Sequence, residues 1–386
     1  MEQDCLIIMK LYVVAGEQSG DKHGALLLKE LVTLAPRVQV DGFGGRSMRH
    51  VCPAIDDWVD EAAVIGVVEV LKKYGWFRDR LLSLVKRIEE EKPDCLLLID
   101  YPGFNLRLAE RVRKASPQTR IVYFISPQVW AWHKGRIPKM AKILDLMMCI
   151  FPFEKPLFEG AGLRTEFVGH PLVDDIAAIH RPEAREQDIV GFFPGSRVKE
   201  IERHFPVFID VVRGLRKTHP EWRVETSATN EKLAMMMREM TEKAGFAVEA
   251  MNISVGNYHD LMDRASIAAI ASGTATMEAA LHELPYVLVY KVSLLTYLMA
   301  KTVIKIPYLG MVNILAQRPV VKELIQNDMT PAAVTAELER LMNPQARREV
   351  LARMKESVDK LGEGGAAGRA AQAIIELMKG ASGEAL

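Results

Sequence analysis

At 386 residues the chain has room for two domains of ordinary size, and 49% hydrophobic with 26% charged residues is the balance of a folded globular protein. Fifty basic residues against fifty acidic ones leave no net charge, so a global basic field for nucleic acid is excluded. Cys5, Cys52, Cys95 and Cys149 contain no C-x-x-C pair, and three of them sit in or beside apolar runs, as buried free thiols of a reducing cytosol do.

Met1–Met9 is acidic (Glu2, Asp4) before a short apolar run that Lys10 interrupts, unlike the basic start and longer apolar core of a signal peptide. Strands are predicted at Lys10–Ala15, Val38–Phe43, Cys95–Asp100, Ile121–Ile125 and Met147–Phe151. Helices lie between most of them, around Ala25–Leu34, Arg80–Glu91 and Leu106–Lys114. The pattern lapses over His170–Arg185, read as a linker. A second series of strands follows at Ile189–Phe193, Trp222–Ser227, Phe246–Ala250, Ile267–Ala271 and Tyr286–Val292. Thr330–Lys379 is helical and charged, with a glycine-rich break at Gly362–Gly368. The alternation predicts an α/β protein of two doubly wound, Rossmann-like domains facing each other across a cleft. Their expected bounds are 9–175 and 186–345, with a helical segment over 346–386 placed back on the first domain. The apolar region 284–316 has Val292–Ala300 as its longest uncharged piece, too short to span a bilayer, so the protein is expected to be soluble or to sit on a membrane surface.

Ligands of such sheets bind beyond the carboxyl ends of the strands, which points to the loops there. After the first strand, Gly16, Gly20 and Gly24 fall at intervals that do not make G-x-G-x-x-G, which argues against an NAD enzyme. The loop is either a tight turn or a floor for a bulky ligand, with Glu17, Ser19 and Asp21 as polar contacts. The Cys95–Asp100 strand runs into Tyr101-Pro102-Gly103-Phe104-Asn105. An Asp there is often a turn former, and it is also where an α/β enzyme places a general base. Ser126–Arg136 gathers Trp130, Trp132 and His133 in one polar loop, equally a surface for a sugar or acyl group and a loop stapled to the sheet.

In the second half, Pro194-Gly195-Ser196-Arg197 leads into a helix over Val198–Val212, where an arginine can hold a phosphate or carboxylate. The Ile267–Ala271 strand, the Ser272-Gly273-Thr274 turn and a helix over Ala275–Glu283 leave free N–H groups at a positive dipole end, suited to a diphosphate. Glu278 lies on the face of Thr274, one turn on, where a carboxylate can accept from a ribose diol. The alternative is an ordinary crossover with a solvated Glu. Asn313, Lys322 and Glu323 form a later polar patch. The chain has no D-x-D pair to hold a divalent metal on a diphosphate.

GEQSGD, DYPGFN, SPQVWAWHKGRI, FPFEKPLF, VGHPL, PGSRVKEI, ASGTATMEAAL and MVNILAQRPVVKELIQ, in this order from about Lys10 to Asp328, closely resemble the lipid-A-disaccharide synthase family. The resemblance implies an inverting glycosyltransferase of GT-B fold that needs no metal and no cofactor, the UDP-sugar being a substrate. It would join UDP-2,3-diacylglucosamine to 2,3-diacylglucosamine 1-phosphate, giving the β-1,6-linked lipid A disaccharide and UDP, at the cytoplasmic face of the inner membrane. It makes Asp100 the candidate base and associates Arg197 and Asn313 with activity and UDP binding. On the residues' own chemistry, Glu17, Ser19, Asp21, Asn105, Trp130 and His133 are substrate contacts, with Glu17 and Asp21 alternatively supporting Asp100 and His133 a weaker rival base. Gly195, Ser196, Arg197, Ser272, Gly273, Thr274, Glu278, Asn313 and Glu323 fall to the nucleotide. A homodimer is left open. The competing readings are another GT-B activity on a UDP-sugar, an epimerase included, and a non-catalytic nucleotide-sugar-binding module.

One stretch has two readings of equal weight. Val64–Val70 is apolar apart from Glu69, Leu71, Trp76 and Phe77 extend it, and Lys72–Arg87 carries six basic residues against Asp79. It is either a helix with its apolar side in the core or a basic amphipathic face on an anionic bilayer, and acylated substrates favour the bilayer.

Overall fold

A computed structural model describes residues 9–62, 73–246, 251–303 and 306–382. The chain forms two compact units, one of residues up to 171 together with those from 363 onward, the other of residues 172–362.

The first unit is built on seven parallel strands: β1 (Lys10–Ala15), β2 (Gln39–Gly44), β3 (Ile55–Asp57), β4 (Cys95–Ile99), β5 (Arg120–Phe124), β6 (Leu146–Cys149) and β7 (Thr165–Phe167). Their order is β3-β2-β1-β4-β5-β6-β7. Every residue of β4 is buried, because helices cover both faces of a parallel sheet and leave its central strands no polar side. The chain leaves β1 for one side of the sheet and returns through β4 to the other, so the loops after β1 and β4 flank the switch point, where Ala15 pairs with Ile99.

The second unit repeats the plan with β8 (Ile189–Phe193), β9 (Arg223–Ala228), β10 (Asn252–Val255), β11 (Ile267–Ala271), β12 (Tyr286–Tyr290) and β13 (Glu323–Ile325), ordered β10-β9-β8-β11-β12-β13 and again all parallel. Its switch point lies between β8 and β11.

Several boundaries differ from the sequence reading. β3, β7 and β13 are three residues each, too short for any periodicity to mark them. The strand expected over 246–250 lies outside the described residues except for Phe246, and the sheet edge is Asn252–Val255. The expected linker is fastened to the second unit. Asp263 takes His180 Nδ1 at 2.6 Å and the Arg181 N–H at 3.0 Å, and the Arg185 guanidinium donates to the carbonyls of Met262, Ala265 and His282. These carbonyls end two helices, where a cation meets both orphan acceptors and the negative dipole end.

The segment 346–386 divides between the two units at the expected glycine-rich break. The helix Pro344–Val358 stays in the second unit, packed on the helices Thr274–Leu281 and Met311–Ala316. The helix Ala366–Ser382 packs on the helix Gln18–Leu34 of the first unit, where Arg369 Nε donates to Val168 O at 2.8 Å.

Of the basic apolar stretch, residues 63–72 lie outside the described residues. From Tyr74 it is a helix to Glu91 that buries Leu81, Leu84 and Ile88, and Trp76 stacks on the buried Trp58 with ring centroids 5.8 Å apart. Its apolar side faces the core, while Tyr74 and Leu82 stay exposed. No helix among the described residues is long and apolar enough to cross a membrane.

Candidate active site

In the first unit the switch point is tightly built. Asp100 and Tyr101 both take left-handed backbone, with φ of 45° and 49°, so the chain reverses sharply at the end of β4. The Asp100 carbonyl accepts from Tyr123 Oη at 2.5 Å and from Asn105 Nδ2 at 2.9 Å, which fixes the turn. A Cβ on Gly16 would stand 2.3 Å from Tyr101 Cδ1, so only glycine lets the loop after β1 pass over that ring. The Asp100 carboxyl is pushed up to about 6 by burial and then by the neighbouring charge of Glu17, while the Tyr101 N–H works the other way. Glu17 and Ser19 are exposed beside it.

Three residues expected to touch the acceptor are occupied elsewhere. Asp21 is buried and accepts from the N–H groups of Gly45, Ser47 and Met48 at 2.8–3.0 Å, so it caps the short helix Arg46–Val51. Asn105 is fully buried and donates to the carbonyls of Val14, Ile99 and Asp100, tying β1 to β4. Trp130 is buried, with its indole N–H on Glu154 Oε1 at 2.9 Å and its ring edge-on to Phe153. Of the two readings of the tryptophan loop, Trp130 follows the stapled one, while His133 is exposed.

The residue that organises this loop escaped the sequence reading. Glu154 is fully buried and also accepts from Ser126 Oγ at 2.5 Å and from the Phe151 N–H at 3.2 Å. Burial pushes its carboxyl up to about 7 against the pull of those bonds. A charged residue inside an apolar motif, FPFEKPLF, was the one available signal. Next to the Asp100 turn, a cavity of 690 Å³ is walled by Tyr74, Phe77, Leu81, Tyr101 and Phe104, with Arg78, Arg107, Arg111 and Lys114 around it against the single carboxylate of Glu110.

In the second unit the loops after β8, β11 and β12 are neighbours. His204 donates from Nδ1 to Pro194 O at 2.8 Å and accepts at Nε2 from the Lys291 N–H at 2.9 Å, so it ties the ends of the two strands that flank β11. Gly195 has φ of 112°, and the chain curls so closely there that a Cβ would meet Glu200 Oε2 at 2.4 Å. Glu200 accepts from the Ser196 and Arg197 N–H groups and from Arg197 Nη1 at 3.1 Å, closing the start of the helix Val198–Thr218. The Arg197 side chain is 75% exposed while paired with Glu200, within reach of solvent at the helix start. Ser272, Gly273 and Thr274 form the turn into the helix Thr274–Leu281, with Thr276 Oγ1 on Gly273 O. Glu278 is half-buried on that helix and accepts from Tyr258 Oη at 2.6 Å, a partner that sequence did not reveal.

Asn313 and Glu323 serve the scaffold. Buried Asn313 donates to Val321 O and Glu323 Oε1 and accepts from the Val320 and Val321 N–H groups, all at 2.8–3.0 Å. Glu323 also accepts from the Leu309 and Gly310 N–H groups at 2.9 Å. The pair clamps the loop before the helix Met311–Ala316 to β13 instead of presenting free groups to a nucleotide.

Among the described residues, His180, Asp263 and His282 bring three metal-type donor atoms within 4.8 Å of one another. Both ring Nδ1 atoms already meet Asp263 Oδ1, at 2.6 and 2.7 Å, and Asp263 precedes β11, at the opposite end of the sheet from the Ser272–Thr274 turn.

Two doubly wound units, each with its polar loops at a switch point, define the GT-B class of nucleotide-sugar enzymes. Solved structures share this fold across nearly the whole chain. The UDP-GlcNAc 2-epimerase of Methanocaldococcus jannaschii, in complex with UDP-GlcNAc and UDP, aligns with a TM-score of 0.60 at 10% identity, covering 95% of this chain and all of its own. MurG of Acinetobacter baumannii aligns at 0.54 and 12% identity, over 95% and 99%. Residues 11–376 match the lipid-A-disaccharide synthetase family, and the lipid-A-disaccharide synthase of Geobacter metallireducens is 38% identical over 385 residues, 96% of this chain and 97% of that one. The chain belongs to the lipid-A-disaccharide synthase family. It is a glycosyltransferase of lipid A biosynthesis, and the epimerases are its relatives in fold.

Proposed function

We propose that the enzyme transfers 2,3-diacylglucosamine from UDP to the 6-hydroxyl of 2,3-diacylglucosamine 1-phosphate, with inversion, at the cytoplasmic face of the inner membrane and without a metal or cofactor. The observation that carries the chemistry is Asp100: a carboxylate on a rigid strand end, raised to about 6 by burial and by Glu17. A base near that value is ionised at neutral pH and still basic enough to take the hydroxyl proton as the new bond forms. Glu17, Ser19 and His133 are assigned to the acceptor sugar. An acyl chain suits the apolar walls beside Tyr101, and the surrounding cations suit the acceptor phosphate.

On the nucleotide side, the diphosphate is assigned to the backbone at Ser272–Thr274 and to Arg197, and the ribose to Glu278. Helix-start N–H groups and an exposed guanidinium neutralise a leaving diphosphate in place of a metal. Gly195 and Ser196 shape the adjoining turn. Asn313 and Glu323 act indirectly, through the loop they clamp.

Incubating the purified protein with the two acylated substrates and following the products by mass spectrometry tests this reading. The expected products are the tetra-acyl disaccharide phosphate and UDP in equal amounts. UDP release without disaccharide, or donor recovered with its 2-position epimerised, would overturn it.

A further inference from the structure

The helix Leu294–Val303, LLTYLMAKTV, is apolar, yet it places none of its described side chains in the core. Leu294, Leu295, Leu298 and Met299 are 70%, 70%, 53% and 63% exposed. At 100° per residue these four side chains occupy an arc of about 140°, the width of an ordinary core-facing stripe turned to the outside. The half-buried Tyr297 and Ala300 lie on the other side, and exposed Lys301 borders the stripe.

The root of this helix is rigid. Lys291 N–H is held by His204, Val292 exchanges two hydrogen bonds with the Gln326 amide at 2.7 and 3.2 Å, and Ser293 Oγ accepts from the Thr296 N–H. The helix therefore starts from the carboxyl end of β12, beside β11 and its Ser272–Thr274 turn.

Charge selects the occupant. No Asp or Glu occurs from Leu284 to Lys322, a span that holds Lys291, Lys301, Lys305, Arg318 and Lys322 in a chain of zero net charge. Arg318 and Lys322 face Glu356 and Glu337, and Lys305 lies outside the described residues, which leaves Lys291 just before the helix and Lys301 on it. A second copy of the chain is a poor fit: ten residues make a helix about 15 Å long, whose face falls well short of the ~800 Å² per partner of a stable dimer. An apolar stripe in a stretch of sequence that carries lysines and no carboxylate fits the boundary between anionic headgroups and acyl chains.

We propose that the helix Leu294–Val303 docks the second unit on an anionic phospholipid bilayer, with Leu294, Leu295, Leu298 and Met299 at the acyl boundary and Lys291 and Lys301 on lipid phosphates. This surface is separate from the basic stretch before Arg87. It extends the reading above, because a donor whose acyl chains stay in the bilayer must meet its nucleotide loops at the membrane surface.

The test is co-sedimentation of the full chain with phosphatidylcholine vesicles, with and without phosphatidylglycerol, at low and high salt. The wild type is compared with the combined Leu294→Ser, Leu295→Ser, Leu298→Ser and Met299→Ser variant and with Lys291→Ala/Lys301→Ala. UDP calorimetry and sedimentation velocity report folding and self-association. The wild type is expected to bind the phosphatidylglycerol vesicles, the serine variant to lose at least tenfold in partitioning, and the lysine variant to lose most of its salt sensitivity, all with UDP affinity kept. A serine variant that binds UDP and vesicles like the wild type overturns the proposal. So does a wild type that ignores both vesicles, or a change from dimer to monomer in the serine variant with vesicle binding intact. Because no substrate lipid is present, failure here is distinct from failure to form the disaccharide in detergent.

Discussion

Tyr123 Oη donates to the carbonyl oxygen of Asp100 at 2.5 Å, across the neighbouring strand β5, and holds by its backbone a residue whose φ is positive. Asn105 secures the same oxygen from the following helix. The carboxylate is thus aimed by a backbone that cannot relax, which is how a strand-end acid becomes a base of fixed direction.

Asp100→Ala is expected to lower kcat by about 10²-fold or more, the contribution of a positioned general base. UDP affinity by calorimetry should stay near wild type, since the nucleotide loops belong to the second unit. Retention of more than about a tenth of kcat would remove Asp100 from the role.

The working form of Asp100 is the carboxylate, so kcat/KM should rise with pH through about 6 and level off above it. Glu17 raises that value by its negative charge. Glu17→Gln is expected to move the acid limb of the profile to lower pH. A limb that stays in place in Glu17→Gln, or moves up, contradicts the assignment.

For the nucleotide, Glu278→Ala should weaken UDP by roughly tenfold, since a hydrogen bond to a charged group is worth about 1.5–3 kcal/mol. Arg197→Ala should weaken it as well. Tyr258→Phe removes the phenol that orients the Glu278 carboxylate and is expected to have a smaller effect in the same direction. Unchanged affinity in both Glu278→Ala and Arg197→Ala would sink the placement.

The long elements were legible because periodicity and burial agree in them: β1, β8 and β11 run as expected from Lys10, Ile189 and Ile267. So were the loops at the two switch points, since parallel topology puts ligands there whatever the side chains. What could not be read was which polar residue in a motif faces the ligand and which faces the protein. Asp21, Asn105, Trp130, Asn313 and Glu323 stand in the right loops, but each spends its polar atoms on backbone groups or on a buried neighbour. A turn rich in orphan N–H and C=O groups needs such partners as much as a substrate does. Tyr258 and Glu154 were missed for the converse reason, since their partners lie 20 and 24–28 residues away and leave no local spacing to recognise.

Asn313 separates the two roles by experiment. Asn313→Ala leaves the Val320 and Val321 N–H groups and one Glu323 bond without their buried partner. At about 1–3 kcal/mol for an abandoned buried group, the variant should be clearly destabilised and melt several degrees lower. A variant with wild-type Tm that had lost only UDP affinity would return Asn313 to the nucleotide.

Glu154 carries the last prediction, and its sign follows from its surroundings. In the folded protein its carboxyl is pushed up to about 7, from an ordinary value of 4.5. Between those values the native state keeps a proton that the unfolded chain has released. Its contribution to stability is therefore complete below 4.5 and is lost as pH rises through about 7, a swing on the order of 3 kcal/mol. Glu154→Gln keeps the shape and an acceptor for the Trp130 indole while removing the titration. Measured by urea unfolding, the wild type should lose stability relative to Glu154→Gln between pH 5 and pH 8, about 1.4 kcal/mol for each unit of pKa shift. Other titrating groups cancel in that difference. Glu154→Ala, which strands Ser126 Oγ, the Trp130 N–H and the Phe151 N–H together, should be destabilised at every pH. A wild-type-minus-Gln difference that stays flat from pH 5 to pH 8 would show that Glu154 is ionised throughout, and that its three donors outweigh its burial.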